Sequence, residues 1–154
     1  MARIIILGVI LSFLVTGALG VGSVLAQPQP TAQDLRNAKK LEDTRNLLES
    51  REWIIYITDP TAKKKTTVET DVLTFKDGKV KSQNLESAGY PESNYTLGFQ
   101  DDVVYWVTMK TNPEQGQIFL RGEFREEGMV GTIGKRPFKG ARTDFAFTVA
   151  APAP

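Results

Sequence analysis

Histidine and cysteine are both absent from the 154 residues, which removes the usual general base, the soft metal ligands and the strongest nucleophile. Ser-His-Asp and Cys-His mechanisms are therefore excluded. Carboxylate pairs remain, at Asp101-Asp102 and Glu126-Glu127. Glycosidase carboxylates need a cleft that holds them at a fixed separation. Both pairs instead fall in short polar breaks between apolar runs, where such residues are solvated turn formers. No run sets oxygen ligands at calcium-loop spacing. The expectation is a non-catalytic protein without metal or cofactor.

Basic residues gather at Lys63-Lys64-Lys65 and again at Lys135, Arg136, Lys139 and Arg142. Such clusters either form a patch for an anionic ligand or cell-envelope polymer, or serve as solvated loop charges that protect sheet edges. Of residues 1–26 only Arg3 is charged, so removing them from 19 basic and 18 acidic residues leaves 18 of each. A chain of zero formal charge has no global field to draw it to nucleic acid or an anionic membrane. Aromatic residues, by contrast, are spread through the whole second part of the chain.

The elements that position these groups follow from periodicity. Thr31-x-x-Asp34 resembles a capping box, and Leu35, Ala38, Leu41, Leu47 and Leu48 recur near helical spacing, which predicts a helix over 31–49. Its apolar stripe is narrow, which fits either a cover for the end of the domain or an arm for a protein partner. From Arg51 the period becomes two, with strands expected over 52–58, 67–75, 79–83, 94–100, 103–110, 117–124, 129–135 and 143–150. Asp77-Gly78 suits a type I′ hairpin turn; Asp101-Asp102 and Glu126 to Gly128 give two more tight turns. Mostly short links force antiparallel neighbours. The predicted fold is all-β, an eight-stranded antiparallel up-and-down barrel preceded by one N-terminal helix, with a two-sheet sandwich as the alternative.

In the last strand Phe145, Phe147 and Val149 share a face, and in the sixth Ile118, Leu120 and Phe124 do so; these faces should be interior. The fifth strand is apolar on both faces. Symmetric closure of the 111–116 loop sets Val107 opposite Leu120 and turns Trp106 outward, and a one-residue slip reverses this. An eight-stranded barrel has room inside for side chains or for one small ligand.

Residues 1–26 read as a secretory signal: Arg3, an uncharged stretch from Ile4, and Val24-x-Ala26 before Gln27-Pro28-Gln29-Pro30. The alternative is an uncleaved anchor, since Ile4 to Ala26 is 23 residues, enough to span a bilayer. The organisation expected is thus signal 1–26, linker and amphipathic helix 27–50, barrel domain 51–150 and a disordered tail 151–154. An exported chain without cysteine suits a bacterial periplasmic or secreted protein.

Trp53 opening the first strand after a helical entry, the eight-strand meander, the Asp77-Gly78 hairpin and Arg142 ahead of Thr143-Asp144-Phe145-Ala146-Phe147 together resemble lipocalin-like, calycin-type barrels. That resemblance implies a structural pair in which Arg142 packs across Trp53. It also implies binding of a small apolar ligand, for which Trp53, Tyr95, Phe99, Tyr105, Trp106, Leu120, Phe124 and Phe147 are the candidate lining. The alternative function is a structural or adaptor module of the cell envelope, with helix 31–49 or the outer barrel face meeting another protein.

Overall fold

The computed structural model describes residues 29–62, 67–125 and 128–149. The apolar N-terminal stretch, Lys63-Lys64-Lys65, Glu126-Glu127 and the tail lie outside the described residues. Helix α1 (Ala32–Glu49) is followed by strands β1 (Glu52–Thr58), β2 (Thr67–Lys76) and β3 (Lys79–Ser82), then a short helix α2 (Gln83–Ser87). Strands β4 (Ser93–Gln100), β5 (Val103–Asn112), β6 (Gly116–Arg125), β7 (Gly128–Pro137) and β8 (Thr143–Thr148) complete the elements of the described residues. All neighbours pair antiparallel in chain order, and β1 pairs with β8 to close the barrel. The up-and-down barrel is therefore as expected, and the sandwich alternative falls.

α1 starts where its cap dictates. The Thr31 hydroxyl accepts from the Asp34 backbone N–H at 3.1 Å, and the Asp34 carboxylate accepts from the Thr31 N–H at 2.8 Å, satisfying two donors that the first turn leaves free. Donation from the Thr31 hydroxyl at 2.7 Å, and then from the Thr31 N–H, holds the Asp34 carboxyl below the ordinary carboxylate range. α2 breaks an interval that reads as a loop. Its cap is the Ser82 hydroxyl, which accepts from the Leu85 N–H, and buried Leu85 tucks under the barrel.

The turns decide the geometry of the strands. Asp77 and Gly78 both adopt positive φ, as a type I′ turn requires. Asp101 and Asp102 do the same at φ 50 and 63, a left-handed conformation that costs a non-glycine residue about 1 kcal/mol or more. Replacing Asp101-Asp102 by Asn-Gly is expected to stabilise the fold by about 0.5–1 kcal/mol. The denaturant midpoint should rise at unchanged slope, and an unchanged or lower midpoint would contradict the turn assignment.

The β5–β6 register corrects the symmetric closure. Val107 pairs with Arg121 and Thr108 with Leu120, one residue away from the symmetric pairing. The cause is the loop, which contracts to Pro113–Gln115 between the paired Asn112 and Gly116. The Asn112 carboxamide oxygen accepts from the N–H groups of Glu114 and Gln115 at 2.8 and 3.1 Å, and Gly116 takes φ 116. An odd loop moves every side chain of β5 to the opposite face. Val104, Trp106, Thr108, Lys110 and Asn112 point in; Tyr105 points out.

Inside, Trp106 is 0% exposed. Its ring meets Phe75 edge-on at 5.0 Å and lies 6.3 Å from Phe147, and its indole N–H donates to the Met129 sulfur at 3.0 Å. Phe75 in turn meets Tyr95 at 5.2 Å. Two glycines clear the space. Gly122 pairs with Trp106 across β5–β6, Gly131 pairs with Phe147 across β7–β8, and the two glycines pair with each other. A β-carbon at 122 would collide with the indole and one at 131 with the Phe147 ring.

Candidate functional site

The two ends of the barrel differ in what closes them. The turns at 77–78 and 101–102 lie at one end, beneath α1. Leu48 of α1 is fully buried and its carbonyl accepts from the Trp53 indole N–H at 2.9 Å. The Glu49 carboxylate accepts from the Gly78 N–H at 3.0 Å and from the Tyr95 hydroxyl at 2.9 Å. Those two donors hold Glu49 below the ordinary carboxylate range. Burial, with Glu49 beside it, pushes the Tyr95 phenol up to about 12. Further along α1 the Lys40 ammonium donates to the Asp102 carbonyl at 2.9 Å and sits over the Phe99 ring. The helix is thus a cover for the end of the barrel, fixed at two points.

Between α1 and the rim lies an open cleft of about 710 Å³, reached by Lys40, Thr44, Val103, Val104 and Phe124. Its charged walls balance, with Lys40, Arg121 and Arg125 against Asp101, Asp102 and Glu123. Bonds from Arg125 and Arg121 hold the Glu123 carboxyl low.

The opposite end is closed by α2 and carries the buried polar groups. Lys110 is 1% exposed. Its ammonium donates to the Val80 carbonyl at 2.7 Å and to the Pro91 carbonyl at 3.1 Å. Loss of hydration pushes it down to about 8, against the opposing pull of Glu92, Asp71 and Glu86. Asp71, also buried, accepts from the Ser82 hydroxyl at 2.6 Å and from the N–H groups of Val72 and Asn84. Two-residue alternation along β5 already sets Lys110 on the face of Trp106, yet its length and charge read as solvent-facing. That was the signal available for it.

Of the candidate lining residues, Trp53, Tyr95, Trp106, Leu120 and Phe147 are buried together in one interior cluster. Phe124 is half-buried against it, with its ring edge-on to Trp53 at 5.9 Å. Phe99 lies half-buried at the rim beneath Lys40. Tyr105 is not interior: it lies on the outer face under the Arg121 guanidinium at 4.1 Å, because the odd loop sends that parity of β5 outward. The Trp53–Arg142 pair also gives way. The cation over Trp53 is Arg51, at 4.1 Å, while Arg142 bonds Asp144 at 2.8 Å beside Gly134. Arg51 sits two residues before Trp53 at the covered end. Arg142 lies just before β8 at the opposite end, and strand length separates them.

Among the described residues no group of three or more carboxylates could hold a metal ion, and no described helix is long and apolar enough to cross a membrane. Compared with models of known protein families, with curated proteins and with solved structures, the chain has no match.

Proposed function

We propose that this protein is an exported, non-catalytic structural or adaptor module of the cell envelope that works through its surface. The observation that carries the proposal is the filled interior: Trp106, Phe75 and Phe147 occupy the middle of the barrel, where Gly122 and Gly131 make room, with Leu48 of α1 and Leu85 of α2 buried in the same core. A core packed in this way leaves recognition to the exterior. α1 supplies an outward surface, with Leu35 60% and Leu47 43% exposed. Export rests on the N-terminal apolar stretch and its Val24-x-Ala26 boundary. A lipocalin-like relationship belongs to the same proposal, supported by the closed meander with Trp53 opening β1.

Small-ligand binding is the second reading, favoured by the cleft under α1, where Phe124 contacts Trp53. One experiment separates the two. The purified protein is titrated with a panel of fatty acids and isoprenoids while tryptophan fluorescence and melting temperature are followed. In parallel, wild type and Leu35→Lys are crosslinked in the envelope of the host. The surface reading expects a flat titration and a discrete crosslinked partner that Leu35→Lys loses. A saturable fluorescence shift with a rise in melting temperature would overturn it in favour of the ligand.

A further inference from the structure

We propose that the α2 end of the barrel carries a binding site for an acidic glycan, in the cleft between the β5–β6 loop and the β7–β8 loop. This cleft of about 670 Å³ is walled by Lys135, Arg136, Lys139, Phe138, Gln115 and Gln117. Its volume falls within the range of small-ligand sites, about 300–1,000 Å³.

Charge is the first observation. The lining holds three cations against a single carboxylate, Glu114, whereas the cleft under α1 is balanced. Five other cations of the barrel are neutralised locally, Lys79 by Glu92, Lys81 by Glu86, Arg121 and Arg125 by Glu123 and Arg142 by Asp144, whereas Arg51, Lys76 and the buried Lys110 stand singly among the described residues and form no cluster. Lys135, Arg136 and Lys139 make no ion pair among the described residues. Two of them rest on aromatic rings instead, Lys135 over Phe145 at 5.1 Å and Arg136 over Phe119 at 4.9 Å. A ring orients a cation without cancelling its charge, so positive potential is left facing the cleft.

The second observation selects a saccharide among anions. Phe138, in the β7–β8 loop between Arg136 and Lys139, is 64% exposed, and its ring lines the cleft among the cations, open to a ligand. The negative face of an aromatic ring attracts polarised C–H bonds, which sugar rings present in quantity. Gln115 and Gln117 add side-chain amides, which both donate and accept as hydroxyl groups require. Carboxylate or phosphate groups on the polymer would meet Lys135, Arg136 and Lys139. The site needs neither a protein partner nor the cleft under α1, and it stands apart from the adaptor proposal.

The purified protein is titrated with polygalacturonate, which carries carboxylates, and with a sugar-substituted glycerol-phosphate polymer. Controls are neutral dextran, polyglutamate, a single-stranded oligonucleotide and phosphatidylglycerol vesicles. At least one acidic glycan should bind about tenfold or more tightly than dextran and polyglutamate, with affinity falling as salt is added. Which glycan binds identifies the anionic group. Arg136→Gln with Lys139→Glu should weaken binding about tenfold, and Phe138→Ala about threefold. All three positions are exposed, so circular dichroism and melting temperature should stay unchanged. The proposal is overturned by absence of binding to either acidic glycan, by binding that ignores Phe138→Ala and ranks polyglutamate equally, or by tighter binding to oligonucleotide or vesicles through the same residues.

Discussion

Trp106→Ala is expected to cost about 3–5 kcal/mol of stability, the range for emptying a large aromatic site in a packed core. For a domain of this size that is a fall in melting temperature on the order of 10–20 °C. Trp106 is fully buried, contacts Phe75 and Phe147, and holds a sulfur hydrogen bond to Met129, so truncation removes both dispersion and a satisfied polar group. The two glycines paired across β6 and β7 cannot refill the gap, because neither has a side chain to move. The hollow should stay dry and take up a small apolar probe such as benzene or xenon, which the parent should not. Gly122→Ala acts from the opposite side, since its β-carbon would strike the indole, and should be destabilising in the parent but nearly neutral beside Trp106→Ala. Such coupling is measurable in a double-mutant cycle. Additive losses, or a cost under about 1.5 kcal/mol for the tryptophan alone, would mean that the interior is not held by this contact.

Lys110 makes stability depend on alkaline pH in an unusual direction. Burial lowers its ammonium to about 8 from the ordinary 10.5. Between those values the unfolded chain holds a proton that the folded chain has released. Stability contributed by this group therefore rises with pH across that window and is lost as pH falls through about 8. At about 1.4 kcal/mol per pH unit, the full effect is on the order of 3 kcal/mol. A neutral amine keeps two N–H donors, enough for the Val80 and Pro91 carbonyls that it serves. Tyr95 opposes this at higher pH. Its phenol is raised from 10.0 to about 12, so its contribution is complete below 10 and is lost as pH rises through 12. Denaturant unfolding of wild type and Lys110→Met from pH 7 to 11 isolates the lysine. The stability difference, wild type minus variant, should grow between pH 8 and 10.5. A flat or falling difference would show that Lys110 is hydrated in solution. Lys110→Met itself should be the less stable protein at pH 10, since it takes this donor from the buried Val80 carbonyl and from the part-buried Pro91 carbonyl.

Both effects arise from interior choices with consequences outside. A barrel that fills its middle with Trp106 and closes its ends with Leu48 and Leu85 leaves Tyr105 and Phe138 on its outer face and rim.

Local patterns in the sequence determined the element list. The Thr31–Asp34 cap, the two-residue alternation from Arg51 and the tight turns at Asp77-Gly78 and Asp101-Asp102 act over a few residues, and the helix and all eight strands stand where those signals put them. The inward faces of β6 and β8 were legible for the same reason, since on each the charged residues gather on the other side. β5 is apolar on both, so its parity waited on the Asn112 carboxamide, which draws the loop to three residues and turns Trp106 inward. α2 depends on one serine cap and on Leu85 finding the barrel floor. The partner of Trp53 was decided by distance through space, which favours Arg51 over Arg142. Burial of Lys110 and the unneutralised cations around Phe138 likewise exist only once strands distant in sequence are brought side by side, because desolvation and charge balance are properties of a neighbourhood and not of a segment.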